Sequence, residues 1–373
     1  MSGIPSRSPL HTLLCQRLGI THPIVKAPMA GGTDTIELVA AVSNAGGLGI
    51  FGALMLPPEE VRAAIRAIRA RTDRPFGVNV IAYRAEGNQA ETAALNVVLD
   101  ELRGELGLPP GPAEVHLPPS WLPDQLRVIY EERVPVLNPM GDPTAVIAPA
   151  HEAGVTVMGF VTTVAEAEEA VAAGVDVIVA QGAEAGGLRA TWRLDGRHEA
   201  ALIGTMALVP QVADAVPSSV PVVAAGGIMD GRGVVAALAL GAAGAMLGTR
   251  FSLARESGIP PSWRARLLAA KETDPVVSRT ITGRPARSIH NRLVDAQIAA
   301  GITPLPFPLQ FLAAADIHRA AAEQGSADYT YLAAGQGLPL ATDGPGAADI
   351  VAELVAEAEA DLARLGHRLA TVG

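Results

Sequence analysis

Short unbroken apolar runs alternate along this chain with longer stretches in which apolar residues recur every three or four positions. These are the patterns expected of buried strands and amphipathic helices. The runs fall at residues 23–30, 48–52, 75–82, 134–139, 155–161, 175–181, 221–225 and 245–248. Helical periodicity covers 35–45, 57–71, 86–106, 143–153, 164–173, 198–215 and 231–240, after a short amphipathic lead-in at 11–18. Pro57 and Pro58 with Glu59 and Glu60 open the second helix, where proline and acidic groups are favoured, and Gly46 and Gly47 end the first. Thr33 or Asp34 is placed to cap that first helix. Eight strands alternating with helices over short glycine-bearing turns predict an α/β chain closed as a (β/α)8 TIM barrel, in preference to an open sheet.

The rhythm lapses at 107–123, a proline-rich loop of the sort that rims a site, and again after Phe251. Residues 251–345 carry short helical stretches with arginine and proline, and 347–365 form a long Ala/Glu helix suited to be the last of the ring. The expected organisation is a barrel of residues 1–250 and 346–373, with a smaller, mostly helical insertion at 251–345 capping the substrate region.

Composition narrows the function more than the fold. The chain has 373 residues, 49% hydrophobic and only 18% charged, enough for a large core. A formal net charge of −10 argues against nucleic-acid or anionic-membrane surfaces, which call for basic patches. A single cysteine, Cys15, excludes an intramolecular disulfide framework, and no metal-ligand spacing suggests a structural zinc. No basic segment leads into an apolar secretory stretch, and no uninterrupted apolar run is long enough to span a bilayer. A cytoplasmic protein acting on small molecules is expected, with a homodimer as its candidate assembly.

In such a barrel, chemistry collects at the carboxyl ends of the strands. Ala27, Pro28 and Met29 end the first, Asn79 lies in the third, and Gln181 ends the sixth before Gly186 and Gly187. Gly226 and Gly227 end the seventh; Met246, Leu247, Gly248 and Thr249 run through the end of the eighth. A glycine at any one of these places is ordinarily a turn residue. Several at the two loops that hold phosphate in such barrels point to a phosphate-bearing ligand, bound by backbone N–H groups and the Thr249 hydroxyl. Lys26 interrupts an apolar strand, so it either faces the barrel mouth or pairs with a carboxylate elsewhere in the chain. Glu184 could accept a proton, although a glycine-flanked loop carboxylate is usually solvated.

The chain resembles the nitronate monooxygenases, formerly 2-nitropropane dioxygenases. The resemblance rests on PIVKAPMAG (23–31), VSNAGGLG (42–49), AQGAEAGG (180–187), PVVAAGGI (221–228), LGTRF (247–251), GRPAR (283–287) and GQG (335–337). Each piece is weak alone; seven in order across nearly the whole chain are not. The resemblance implies FMN, its ring resting on the backbone of Ala27, Pro28 and Met29, with Asn79 and Gln181 as polar contacts. It places the phosphate at Gly186, Gly227 and the segment from Met246 to Thr249. It also implies a small-molecule substrate and O2, with a histidine directly after Ala-Gly-Gly that removes the α-proton of a neutral nitroalkane.

Leu188 stands at that histidine position. Leucine has no proton-accepting atom, so it cannot be the general base. Either the substrate arrives already ionised as a nitronate, or a base sits elsewhere, or the chemistry differs. His198, ten residues on, is the best displaced base, while His116, His151 and His290 are weaker candidates. The flavin-dependent enoyl-acyl-carrier-protein reductases have a similar loop and would need a nicotinamide donor. Chemistry of the inosine monophosphate dehydrogenase kind needs a loop cysteine, and Cys15 precedes the first strand. A flavin-binding protein without catalysis is the remaining alternative.

Overall fold

Alternation within each strand builds the molecule in two apolar layers. In this computed structural model, which describes residues 8–54, 56–83, 87–193 and 201–372, eight parallel strands close a barrel. They are β1 (Ile24–Lys26), β2 (Leu48–Gly52), β3 (Phe76–Ala82), β4 (Val136–Gly141), β5 (Thr156–Val161), β6 (Val177–Gln181), β7 (Val222–Ala225) and β8 (Gly244–Leu247). Neighbours in sequence are neighbours in space, and β8 closes on β1 through the pairs Ile24 with Ala245, Val25 with Met246 and Lys26 with Leu247. The strands are buried on both faces, as parallel strands between a lumen and an outer helical ring must be.

Within β6, Val177 and Val179 pack in the lumen cluster with Val25, Ile50, Met158, Phe160, Val223 and Met246. Ile178 and Ala180 face outward against the helices. Helix Leu13–Leu18 plugs the amino-terminal end of the barrel: Leu14, Cys15 and Leu18 belong to the lumen cluster, and a Cβ on Gly244 would meet Leu14 at 2.4 Å. Helix Ala347–Val372 buries Ile350, Val351, Leu354 and Ala358, a helical stripe, and packs against helices Gly231–Ala239 and Ile36–Asn44. It thereby completes the outer ring between the last strand and the first.

Caps set where helices begin. Thr35, next to the two residues expected to cap, accepts from the Leu38 N–H at 2.9 Å, which leaves the Asp34 carboxylate for another task. Helix Ala93–Glu105 starts later than its apolar period suggests, because strand Gln89–Glu91 precedes it and pairs with Glu114–His116 inside the expected proline-rich loop. Helix Thr205–Ala215 likewise starts inside the expected span 198–215.

Residues 251–345 contain helices Pro261–Ala269, Arg292–Ala299, Leu309–Ala313 and Ala315–Glu323. Leu293, Leu309 and Ile317 share a separate apolar cluster with Leu95, Leu99 and Leu102 of the excursion after β3. Two antiparallel strands, Pro275–Ser278 and Ala286–Ile289, also lie here, and the second pairs with the two-residue strand Gly187–Leu188 in the loop after β6. Among the described residues no helix is long and apolar enough to cross a membrane.

Candidate active site

The outward side of β1 fixes the floor of the barrel mouth. Lys26 shares the outward phase of Ile24, and its ammonium is fully buried against the Asp34 carboxylate and the Ile50 carbonyl, 2.7 Å away. Of the two readings open to it from sequence, pairing with a carboxylate is the one realised. Burial pulls Lys26 below the usual lysine range while Asp34 pulls it back. Asp34 also accepts from the Met29 N–H and the Gly52 N–H, each at 2.8 Å. One buried carboxylate thus sets the backbone that follows β1 and β2. The Ala27 N–H donates to the Leu247 carbonyl at 2.9 Å, joining that floor to β8.

The loop after β6 is held by its own polar side chains. The Gln181 amide donates to the Leu188 carbonyl at 3.0 Å and accepts from the Ala190 N–H at 2.9 Å. Arg189, almost wholly buried, returns to the Gly182, Gln181 and Ala201 carbonyls at 2.5, 2.9 and 3.0 Å. Desolvation pulls it down to about 10. Glu184, half-buried, is engaged and not free: it accepts from the Thr205 N–H at 2.8 Å and from the Thr205 hydroxyl at 2.9 Å, capping helix Thr205–Ala215. Glu166, fully buried, accepts from the Thr162, Trp192 and Arg193 N–H groups and so anchors the loop's far end.

Around this loop lies a basic and phenolic shell. The Tyr83 hydroxyl donates to the Arg189 carbonyl at 2.7 Å, and the Arg284 guanidinium lies 3.9 Å over the Tyr83 ring. Arg287 donates to the Ala183 carbonyl at 2.9 and 2.8 Å and to the Pro275 carbonyl at 2.7 Å. The hydrogen bonds of Arg189 and Arg287 go to main-chain carbonyls, so no contacting carboxylate among the described residues cancels their charge. Burial holds the Tyr83 and Tyr331 hydroxyls well above the ordinary tyrosine range.

The loops after β6, β7 and β8 converge. Gly226 and Gly227 have φ of +114° and +74°; a Cβ on Gly226 would come 2.9 Å from the Thr205 hydroxyl and 3.0 Å from the Ala185 nitrogen. A Cβ on Gly186 would come 2.6 Å from the Ala334 carbonyl carbon. The Gly335 N–H donates to the Thr249 hydroxyl at 3.0 Å, which leaves that hydroxyl its own proton to donate. Gly248 faces the end of β1, where a Cβ would lie 3.5 Å from Ala27 Cβ and 3.9 Å from Met29 Sδ, narrowing the slot between the two strand ends.

The structure therefore gathers Ala27, Pro28, Met29, Leu247, Gly248 and Thr249 on one side of the mouth and Gln181, Gly186, Gly187, Gly226 and Gly227 on the other. Asn79 sits in the lumen, its amide donating to the Asn138 carbonyl at 2.7 Å, and the Asn138 amide donates in turn to the Met158 carbonyl at 2.6 Å. His116, His151 and His290 each lie against an acidic neighbour, Glu114, Asp176 and Asp295. His198 lies outside the described residues. Asn138, Glu166, Tyr83, Tyr331 and the three arginines are residues of the candidate site that sequence reading passed over. Only Asn138, a polar residue in an apolar strand, and Glu166, in the Thr163–Glu166 spacing of a capping box, carry a local signal. Among the described residues no group of three or more His, Cys, Asp or Glu could hold a metal.

A closed parallel barrel whose glycine-lined loops converge at the carboxyl ends of its last three strands has the architecture of the phosphate-binding barrel enzymes. A model of the nitronate monooxygenase family matches residues 12–357. A nitronate monooxygenase of Pseudomonas aeruginosa is 40% identical over 348 residues, 91% of this chain and 97% of that protein. A probable nitronate monooxygenase of Staphylococcus haemolyticus is 37% identical, covering 88% and 92%. Among solved structures, the nitroalkane oxidase of Streptomyces ansochromogenes superposes with a TM-score of 0.85 at 35% identity, over 95% of this chain and all of that one. FabK from Thermotoga maritima superposes with a TM-score of 0.75 at 28% identity, covering 96% and 99%. The chain belongs to the nitronate monooxygenase family. The family is flavin-dependent, generally with FMN, and this protein is a flavin-dependent oxidoreductase.

Proposed function

We propose that the protein binds FMN at the barrel mouth and oxidises small nitronates with O2 to a carbonyl compound and nitrite. The observation that carries this reading is Leu188, which stands directly after Ala185-Gly186-Gly187 and offers no atom to take a proton. A substrate that is already ionised needs none. The surrounding charge has the matching sign: Arg189 and Arg287 carry buried positive charge that no contacting carboxylate among the described residues neutralises.

Two features fit the cofactor: the slot that a side chain on Gly248 would fill, and a Thr249 hydroxyl kept free to donate to a phosphate. Ala27, Pro28 and Met29 would support the ring, and Gly186, Gly187, Gly226, Gly227 and the backbone from Met246 to Thr249 would hold the phosphate. Bound FMN supplies the electron-accepting and oxygen-activating chemistry. The chain's own residues bind and orient the anion, exclude water with the Leu188 side chain, and keep Asp34 and Lys26 beneath the floor. One oxygen atom joins carbon as the C–N bond breaks and the nitro group leaves as nitrite, so two nitronates consume one O2 without a further reductant. Residues 251–345 serve as the cap over a barrel of 1–250 and 346–373, a reading supported by the pairing of Ala286 and Arg287 with Leu188 and Gly187.

The test is the purified protein's absorbance, then nitrite and O2 measured against added nitronate. A yellow protein that forms one nitrite per half O2 supports the reading; a colourless one that fails to take up FMN contradicts it. The likeness to FabK favours a second reading, an enoyl-reductase-type enzyme using NADH or NADPH. Rapid anaerobic bleaching by either nucleotide would favour that reading over ours.

A further inference from the structure

Buried polar atoms beside the loop after β6 are left without a hydrogen-bond partner, the Arg189 Nε–H and the Trp192 Nε1–H among them. The Tyr331 hydroxyl is buried and has no hydrogen-bond partner, whereas the Tyr83 hydroxyl nearby is bonded to Arg189. A buried donor without an acceptor is destabilising, so native chains keep few of them and a ligand is a common reason. The hydroxyl is aimed at the loop residue that precedes Leu188. A Cβ built on Gly187 would lie 3.9 Å from the Tyr331 oxygen, an ordinary van der Waals contact, and within 4 Å of no other atom beyond its chain neighbours.

Placement of the tyrosine is rigid. The Thr330 carbonyl accepts from the Asn291 amide at 2.7 Å, and the Leu332 carbonyl accepts from the Ile289 N–H at 2.9 Å. Ile289 ends the strand whose Arg287 lies opposite Gly187, so the tyrosine and the loop are positioned by one small sheet. We propose that the Tyr331 hydroxyl donates a hydrogen bond to an oxygen of the substrate's anionic nitro group beside Gly187, orienting its carbon toward the Leu188 side. The proposal rests on the nitronate reading above. Burial and the neighbouring Tyr83 both hold the phenol in its protonated form, so it acts as a donor and not as a replacement for the missing base.

Nitrate, a planar oxyanion that cannot be oxidised by the enzyme, is the binding probe. It is titrated into the FMN-loaded protein while flavin absorbance is followed. Loss of a hydrogen bond to a charged group corresponds to about tenfold in affinity. Tyr331→Phe should therefore weaken nitrate binding about tenfold and raise KM for a nitronate similarly, with a smaller change in kcat. FMN content and Tm should not fall, because the hydroxyl has no partner to lose; a hydroxyl with a structural role would lower Tm. Tyr130→Phe, remote on helix Leu122–Glu131, is the control: it removes a hydroxyl that donates to the Val146 carbonyl and should leave FMN content, nitrate affinity and KM unchanged. Unchanged nitrate affinity and KM in Tyr331→Phe, or no nitrate-dependent spectral change in the wild type, would overturn the proposal. If nitrate binding depends on Tyr331 while nitronate is not turned over, the anion contact stands and the nitronate reading falls. If nitronate is turned over equally well by Tyr331→Phe, the reverse holds.

Discussion

The two ends of the barrel are made by the same eight strands and could hardly differ more in chemistry. At the amino-terminal end Leu14, Leu18 and Ile20 fill the lumen, and burial pushes the Cys15 thiol up, so it is an inert packing group there. At the carboxyl end the lumen phase continues into Asn79, Asn138 and Gln181, and the loops add Tyr83, Tyr331, Arg189, Arg284 and Arg287. The lesson is that burial by itself does not mark the site. Both ends are buried, but the carboxyl end is where the Arg189 Nε–H, the Trp192 Nε1–H and the Tyr331 hydroxyl are left without partners.

That contrast is broken most severely beneath the polar end. Asp34→Ala strands the Lys26 ammonium in the interior and removes the acceptor of the Met29 and Gly52 N–H groups. It should cost about 3–5 kcal/mol in chemical denaturation and release FMN in parallel. Leu14→Ala opens a cavity at the opposite end. It should cost about 2–4 kcal/mol yet leave FMN content and KM within error of wild type. An equal loss of FMN in both variants would mean that the two ends are not separable. The smallest effect is an expected flatness. With Tyr83 and Tyr331 both held above the ordinary tyrosine range and no histidine at 188, kcat/KM for a preformed nitronate should not change between about pH 6 and about pH 9. A limb near about pH 6.5 would point to a histidine, with His198 the first to replace by alanine.

Much of this architecture is legible in the sequence because its signals are local. Eight apolar runs became the eight strands within a few residues at each end, and the glycine pairs at 186–187 and 226–227 fell where the loops converge. The strands Gln89–Glu91 and Glu114–His116 were not legible: three residues carry too little period, and their pairing is made across an intervening helix. Lys26 could be flagged, but its partner could not be chosen until Asp34 was freed by Thr35 taking the cap. Tyr331, Arg284 and Arg287 reach the site through the pairing of Ala286–Ile289 with a loop about a hundred residues earlier, and nothing in their own neighbourhood announces it.

The central claim is that a leucine at position 188 restricts the enzyme to substrates that arrive ionised. Matched neutral and ionised forms of one nitroalkane, compared by initial O2 consumption before they interconvert, test it directly. The account predicts turnover of the ionised form only, with Leu188→His gaining use of the neutral form. Equal turnover of both forms by the unmodified protein, undiminished in His198→Ala, would contradict it.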